Sequence, residues 1–183
     1  MTDPASGPFL FDTSAESYLG RPPSEAEADW FIQYTVSFPM YVAVPSVMER
    51  ARGYYIAIDS ADPVRRAEIR HRMLKYIHSV ETGSRVLNLT VPIALVAAQL
   101  MSLVPHPPSP PRHSHQAGES RQDRLSRWRF DIMIAATALI HNLPLIHNNP
   151  QDFEPLRAVI ERLPERFPGV GPLNLISVKR LAA

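Results

Sequence analysis

Short apolar runs of strand character alternate with helical patterns along almost the whole chain, and this alternation restricts the fold more than any other feature. Pro8-Phe9-Leu10-Phe11, Met40-Tyr41-Val42-Ala43-Val44, Arg85-Val86-Leu87-Asn88-Leu89, Leu143 to Ile146 and Leu173 to Val178 read as strands bounded by turn residues. Between them lie helical patterns. Thr13 or Ser14 caps a short helix over Ala15 to Leu19, and Gly20-Arg21-Pro22-Pro23 breaks it. Ser24 and Glu27 have the spacing of a capping box, followed by Trp30, Tyr34 and Phe38 at helical intervals. Pro45-Ser46-Val47 is expected to turn the chain, with a helix from Met48-Glu49 onward. Asp62-Pro63 opens a helix to about Val80, with Val64, Ile69, Met73, Leu74 and Ile77 on its inner side. Pro92 opens an apolar helix from Ile93 to Val104, another runs from near Asp123 to about His141, and Asp152 to Arg166 is mostly helical. Alternation of this kind predicts an α/β three-layer sandwich with a mostly parallel central sheet of four to five strands. The 183 residues suit a single domain over 1–183.

The pattern fails in one place. Pro105 to Gln122 holds five prolines and three histidines and has no large apolar residue. Such a segment cannot contribute to a core, and a flexible Pro/His-rich insertion is expected at 105–122. His113 and His115 form a His-x-His, which in a proline-rich segment reads as solvated. A net charge of +1 provides no general field for a polyanion, so any nucleic-acid contact must be local. The chain has no cysteine, which removes disulfides and thiolate metal sites. Its first residues lack the basic and apolar regions of a signal peptide. Its longest apolar runs fall short of the roughly 20 residues that span a bilayer. A cytoplasmic protein with no membrane association is expected.

Several acids fall at the ends of these elements. Asp12 follows the first strand, Glu49 lies beyond the second near a helix start, and Asp131 opens the apolar part of the helix before the fourth. Asn149 and Asp152 follow the fourth strand. In open α/β sheets, sites form outside the carboxyl ends of the strands, near a topological switch point. Hard divalent cations such as Mg²⁺ and Mn²⁺ take oxygen ligands of this type. Each acid also has a structural reading. Asp12 suits a cap, and Glu49 and Asp131 suit the first turn of a helix, where the dipole favours negative charge.

Four motifs carry a resemblance. Leu10-Phe11-Asp12-Thr13-Ser14, Val44-Pro45-Ser46-Val47-Met48-Glu49, Asp131-Ile132-Met133-Ile134-Ala135-Ala136-Thr137-Ala138 and Leu145-Ile146-His147-Asn148-Asn149-Pro150-Gln151-Asp152-Phe153 occur in that order. The chain resembles the PIN-domain nucleases, most closely the VapC-like ribonuclease toxins of type II toxin–antitoxin systems. The resemblance implies a ribonuclease using Mg²⁺ or Mn²⁺, held by Asp12, Glu49 and Asp131. Asn149 falls on the fourth site position, and Thr13 shapes the pocket floor. His147 stands where the family has Thr or Ser. Asn149 brings no charge to a position that is often Asp, and Asp152 is available to compensate. The resemblance further implies an RNA substrate, a cognate antitoxin protein and a homodimer, for which Tyr54-Tyr55-Ile56 is a candidate surface.

Arg124, Arg127 and Arg129 precede Asp131 and are candidates for RNA contact. Arg65, Arg66, Arg70 and Arg72 read as a solvated helix face with a second claim on phosphate. The rival reading is a PIN-like module that binds RNA or protein with weak or no catalysis. A further reading is a nuclease outside any toxin system.

Overall fold

The computed structural model describes residues 2–19, 24–109 and 120–181. Among these, five strands form one sheet in the order β3-β2-β1-β4-β5, every pairing parallel. They are β1 (Leu10–Phe11), β2 (Met40–Ala43), β3 (Ser84–Leu87), β4 (Leu145–His147) and β5 (Leu175–Ser177). Seven α-helices accompany them among the described residues: α1 (Thr13–Leu19), α2 (Glu25–Ser37), α3 (Val44–Ser60), α4 (Pro63–Gly83), α5 (Val91–Leu103), α6 (Arg121–His141) and α7 (Pro150–Arg162). The three-layer α/β sandwich stands, with a sheet that is wholly rather than mostly parallel.

A parallel sheet must be covered on both faces, and the two-residue period of its strands divides the core accordingly. Leu10, Ala43 and Leu145 meet apolar side chains of α5, α6 and α7. Phe9, Phe11 and Ile146 pack against α1 and α2, and Val42 against Tyr76 and Val80 of α4. Tyr34 of α2 anchors the entry to β1: its hydroxyl accepts from the Phe9 N–H at 3.2 Å and donates to the Pro39 carbonyl at 3.1 Å.

The structure moves several boundaries. Pro45 does not turn the chain, because α3 already begins at Val44 and its first turn tolerates a missing N–H. The cap of α1 is Asp12 rather than Thr13 or Ser14: its side chain accepts from the Ala15 N–H at 2.5 Å and its carbonyl from the Glu16 N–H at 3.0 Å. Arg121 and Gln122, expected in the insertion, are helical, with Ser120 accepting from the Asp123 N–H at 3.1 Å. On α4 the buried positions are Tyr76 and Val80, while Val64, Leu74 and Ile77 are exposed. This helix covers little more than Val42 of the sheet, so a narrow stripe led by a tyrosine ring suffices. Residues 20–23 and 110–119, the latter including His113 and His115, lie outside the described residues.

The chain runs outward from β1 to β2 and β3, then returns past β1 to β4. The reversal places the switch point between β1 and β4. Two bonds close this gap: Asp12 N–H donates to the Ile146 carbonyl at 3.0 Å, and Asn148 N–H to Ser14 Oγ at 3.3 Å. At the far end of α6, Asn142 adopts φ 50° and its N–H returns to the Ala138 and Leu139 carbonyls, which turns the chain into β4.

Candidate active site

Four elements deliver four acids to this switch point. Asp12 follows β1, Glu49 sits in the second turn of α3, Asp131 lies within α6, and Asp152 is in the first turn of α7. Asp12, Asp131 and Asp152 are buried and Glu49 is partly buried. Their charges act on one another. Asp131 is pushed well above the usual carboxylate range, first by burial and then by the charges of Asp152, Glu49 and Asp12. Burial also raises Asp12, to about 7, with Glu49 adding to the rise and the Ala15 N–H and Ser14 opposing it. Burial raises Glu49, Asp152 adds to the rise, and Thr13, Arg127 and Arg52 oppose it.

Asp131 is the most exposing test of what this cluster is for. Helix α6 begins at Arg121, so Asp131 is in its third turn and not near its start. The first-turn reading therefore fails, because the dipole acts only within the terminal turn. Asp131 is 8% exposed and its Oδ2 has no hydrogen-bond partner. An unpaired carboxylate oxygen in such a place costs several kcal/mol, on the order of a lost buried ion partner. A cation of oxygen-seeking type offsets that cost, and the neighbouring donors are of the same type. In this respect the residues fit Mg²⁺ or Mn²⁺.

Asp12 has two duties. Ser14 Oγ donates to its carboxylate at 2.8 Å and 3.0 Å while the Ala15 N–H takes Oδ1, so the side chain is turned toward α1. Asn149 is the N-cap residue of α7 without a side-chain cap bond; its amide donates instead to Asp152 Oδ2. Asp152, not Asn149, thus supplies the fourth negative charge. Among the described residues no three His, Asp or Glu side chains are gathered tightly enough to hold an ion as they stand. The acids share an electrostatic field, with Asp12 and Asp152 each engaged by a neighbour.

Thr13 lies beside Glu49 and favours its ionised form, although its buried Oγ1 has no partner at hydrogen-bond geometry. His147 is buried, its ring 5.4 Å from that of Phe153, and its Nδ1 is unpartnered. Burial lowers it to about 4, with the Asn149 backbone opposing, so the imidazole is neutral at pH 7.

The arginines separate by position. Arg127 stands one turn before Asp131 on the same helix face and lines a cavity with Glu49. Arg124 is one further turn away, with its Nε buried and unpartnered. Arg129, two residues from Asp131, projects from another side of α6 and is exposed. Arg65 and Arg72 of α4 line a larger cleft of about 820 Å³ with Thr13 and Glu49, whereas Arg66 is spent on the Ile58 and Ala61 carbonyls at the end of α3. Sequence reasoning missed Arg50. It lies over the Tyr76 ring at 4.9 Å, is 3.9 Å from Glu16, and donates to Ser17 Oγ. Its position next to Glu49 was the only available sign.

No family model matches the sequence, and no curated protein matches it. Solved structures do. A chain of VapBC2 from Rickettsia felis, in a complex with a DNA fragment from the promoter, aligns over 92% of this chain and 97% of its own, with TM-score 0.55 and 11% identity. The fold is PIN-like. A chain of DNA-bound VapBC from Salmonella typhimurium aligns over 93% and 97%, with TM-score 0.54 and 18% identity. For FitAcB from Neisseria gonorrhoeae the figures are 81% and 93%, TM-score 0.51 and 21% identity. At these identities the likeness is one of fold, and the PIN-like frame is what brings Asp12, Glu49, Asp131 and Asp152 to one edge of the sheet. Among the described residues no helix is long and apolar enough to cross a membrane.

Proposed function

We propose that this chain is a metal-dependent endoribonuclease and the toxin of a toxin–antitoxin pair, working in the cytoplasm. The observation that carries the reading is Asp131 Oδ2, unpaired in the middle of a buried helix and facing three further acids at the switch point. Asp131, Glu49 and Asp12 would hold Mg²⁺ or Mn²⁺, with Asp152 as the fourth acid. Such an ion lowers the pKa of a water and stabilises charge on the departing oxygen of a phosphodiester. The protein's part is placement. Ser14 and the Ala15 N–H hold Asp12 in one orientation, Asn149 holds Asp152, and Thr13 opposes the rise that burial imposes on Glu49. The neutral His147, the last residue of β4, is buried against the Phe153 ring.

The antitoxin partner is supported by the toxin–antitoxin complexes VapBC and FitAcB, whose fold this chain shares. Tyr55 and Ile56, both exposed on α3, support a homodimer through that helix; Tyr54 does not belong to the surface, since it packs on the Tyr76 ring at 6.0 Å. Light scattering of the wild-type protein and of Tyr55→Ser/Ile56→Ser tests the dimer. Incubation with total RNA and mapping of new 5′ ends, with Asp131→Asn as control, tests the activity. A neighbouring reading frame encoding a small partner that suppresses cleavage tests the toxin assignment.

A further inference from the structure

Helix α1 is only seven residues long, yet two residues of the acid site stand at its start. Asp12 is its cap, and Thr13 is its first residue and lies beside Glu49 of α3. A helix this short has little stability of its own, so its neighbours decide how it is turned. Ala15 and Leu19 bury one face in the core shared with α2. Apolar burial is non-directional and fixes depth better than rotation. Thr13, Glu16 and Ser17 share another face, at the i, i+3 and i+4 spacing. Arg50 of α3 engages that face: its guanidinium donates to Ser17 Oγ, and the Ser17 hydroxyl donates in turn to the Thr13 carbonyl at 2.9 Å. The same guanidinium nitrogen is 3.9 Å from Glu16 Oε2, on a side chain only 9% exposed. The guanidinium also lies over the Tyr76 ring of α4, 4.9 Å from its centroid.

One planar cation therefore joins α1, α3 and α4, a combination of fork and flat face that suits arginine and not lysine. Arg50 follows Glu49 directly, so a contact that holds Arg50 against α1 also holds the turn of α3 that carries Glu49. Thr13, Glu49 and Arg50 stand together in the wall of the cleft between α3 and α4. We propose that Arg50 is a positioning residue of the acid site: by pinning the Thr13 carbonyl through Ser17, and Glu16 beside it, Arg50 sets where Asp12 and Thr13 stand relative to Glu49. This rests on the metal-binding part of the reading above. The competing role is that of counter-ion alone, since burial raises the Glu16 carboxyl and Arg50 opposes the rise.

The test measures melting temperature and Mn²⁺ affinity, the latter by titration calorimetry, on the full chain. Arg50→Met leaves Glu16 buried without its cation and is expected to melt lower. Arg50→Met/Glu16→Gln removes that unpaired charge and keeps the net charge of wild type. Its melting temperature should return toward wild type while the link to Ser17 stays broken. Mn²⁺ affinity is expected to fall by about tenfold or more in both variants, the effect of losing an outer partner that orients a ligand. Arg50→Lys, which retains one donor and the charge, recovers part of it. A double variant that melts and binds Mn²⁺ like wild type overturns the proposal and leaves Arg50 as the counter-ion of Glu16. An affinity that merely follows melting temperature across the set overturns it as well. The metal-binding reading fails separately, and in other proteins of the set: no Mn²⁺ binding by wild type, or equal binding by wild type and Asp131→Asn, shows that reading to be wrong and the proposal with it.

Discussion

The Asp12 N–H donates to the Ile146 carbonyl at 3.0 Å, tying the end of β1 to the end of β4 at the point where the strand order reverses. The same residue caps α1 with its side chain. Asp12 is therefore a structural acid and a candidate metal ligand at once, and the two duties make opposite demands. A cap works with a neutral or a charged oxygen, whereas an ion requires the charge.

This conflict has a pH signature. Burial raises the Asp12 carboxyl from 3.8 to about 7. The folded chain keeps a proton that the unfolded chain releases over that interval. The stability from this group is complete below the unfolded value and is lost as pH rises through the folded one. Asp12→Asn retains the acceptor for Ala15 and removes the charge. In metal-free buffer its melting temperature should exceed that of wild type at about pH 8, and the difference should vanish near about pH 4. His147, lowered to about 4 from 6.5, acts in the opposite direction, losing its stability as pH falls. It is common to both proteins and cancels in the comparison.

Asp152 and Asn149 form the second pair to separate. The Asn149 amide donates to Asp152 Oδ2, and Asp152 is the strongest charge acting on Asp131. Asp152→Asn should weaken Mn²⁺ binding by about tenfold or more, the scale of losing a ligand's support or the ligand itself. Asn149→Ala should weaken it less, since the charge stays. Calorimetric titration of the two variants decides the order; equal losses would return the fourth position to Asn149.

Gly53 lies in α3 between the two spaces that meet at Glu49, and a Cβ there would touch nothing within 4 Å. Helix propensity alone then predicts that Gly53→Ala stabilises the fold by about 0.5–1 kcal/mol. Thermal melts measure this. A rise in melting temperature accompanied by weaker RNA binding would show that the glycine keeps the wall of the site low.

The small residues of α6 make a packing prediction. Ala135, Ala136 and Ala138 are buried in the core shared with α5 and α7. Ala136→Leu overfills this space and should cost about 1–3 kcal/mol, read from denaturant melts. An unchanged midpoint would mean that α6 packs more loosely than its burial implies.

The alternation of short apolar runs with helical patterns was enough to obtain the layers, the parallel sheet and the placement of Asp12, Glu49 and Asp131 at one edge. Boundaries moved where caps and prolines are ambiguous in one dimension: Pro45 suits a turn or a first helical turn, and Asp12, Thr13 and Ser14 are all competent caps. Helix α6 was expected from near Asp123 and begins at Arg121, so Asp131 stands in its third turn, where the terminal dipole does not explain it. Asp152 was legible as an acid available to compensate for Asn149, while its charge acting on Asp131 comes from the meeting of α6 and α7. Arg127 and Arg129 are nearly equivalent in sequence and separate only once the face of α6 is known.

Asp131, buried with its Oδ2 unpartnered, is proposed to serve an ion and RNA cleavage. Its most direct test is the cleavage of total RNA, with mapped 5′ ends, by wild type and Asp131→Asn in Mn²⁺ and in EDTA, both proteins being shown folded by thermal melts. Discrete new ends are expected only for wild type in Mn²⁺, together with a folded variant whose metal-free melting temperature at about pH 8 is at least that of wild type. Equal cleavage by a folded Asp131→Asn, or wild-type cleavage that persists in EDTA, would contradict it.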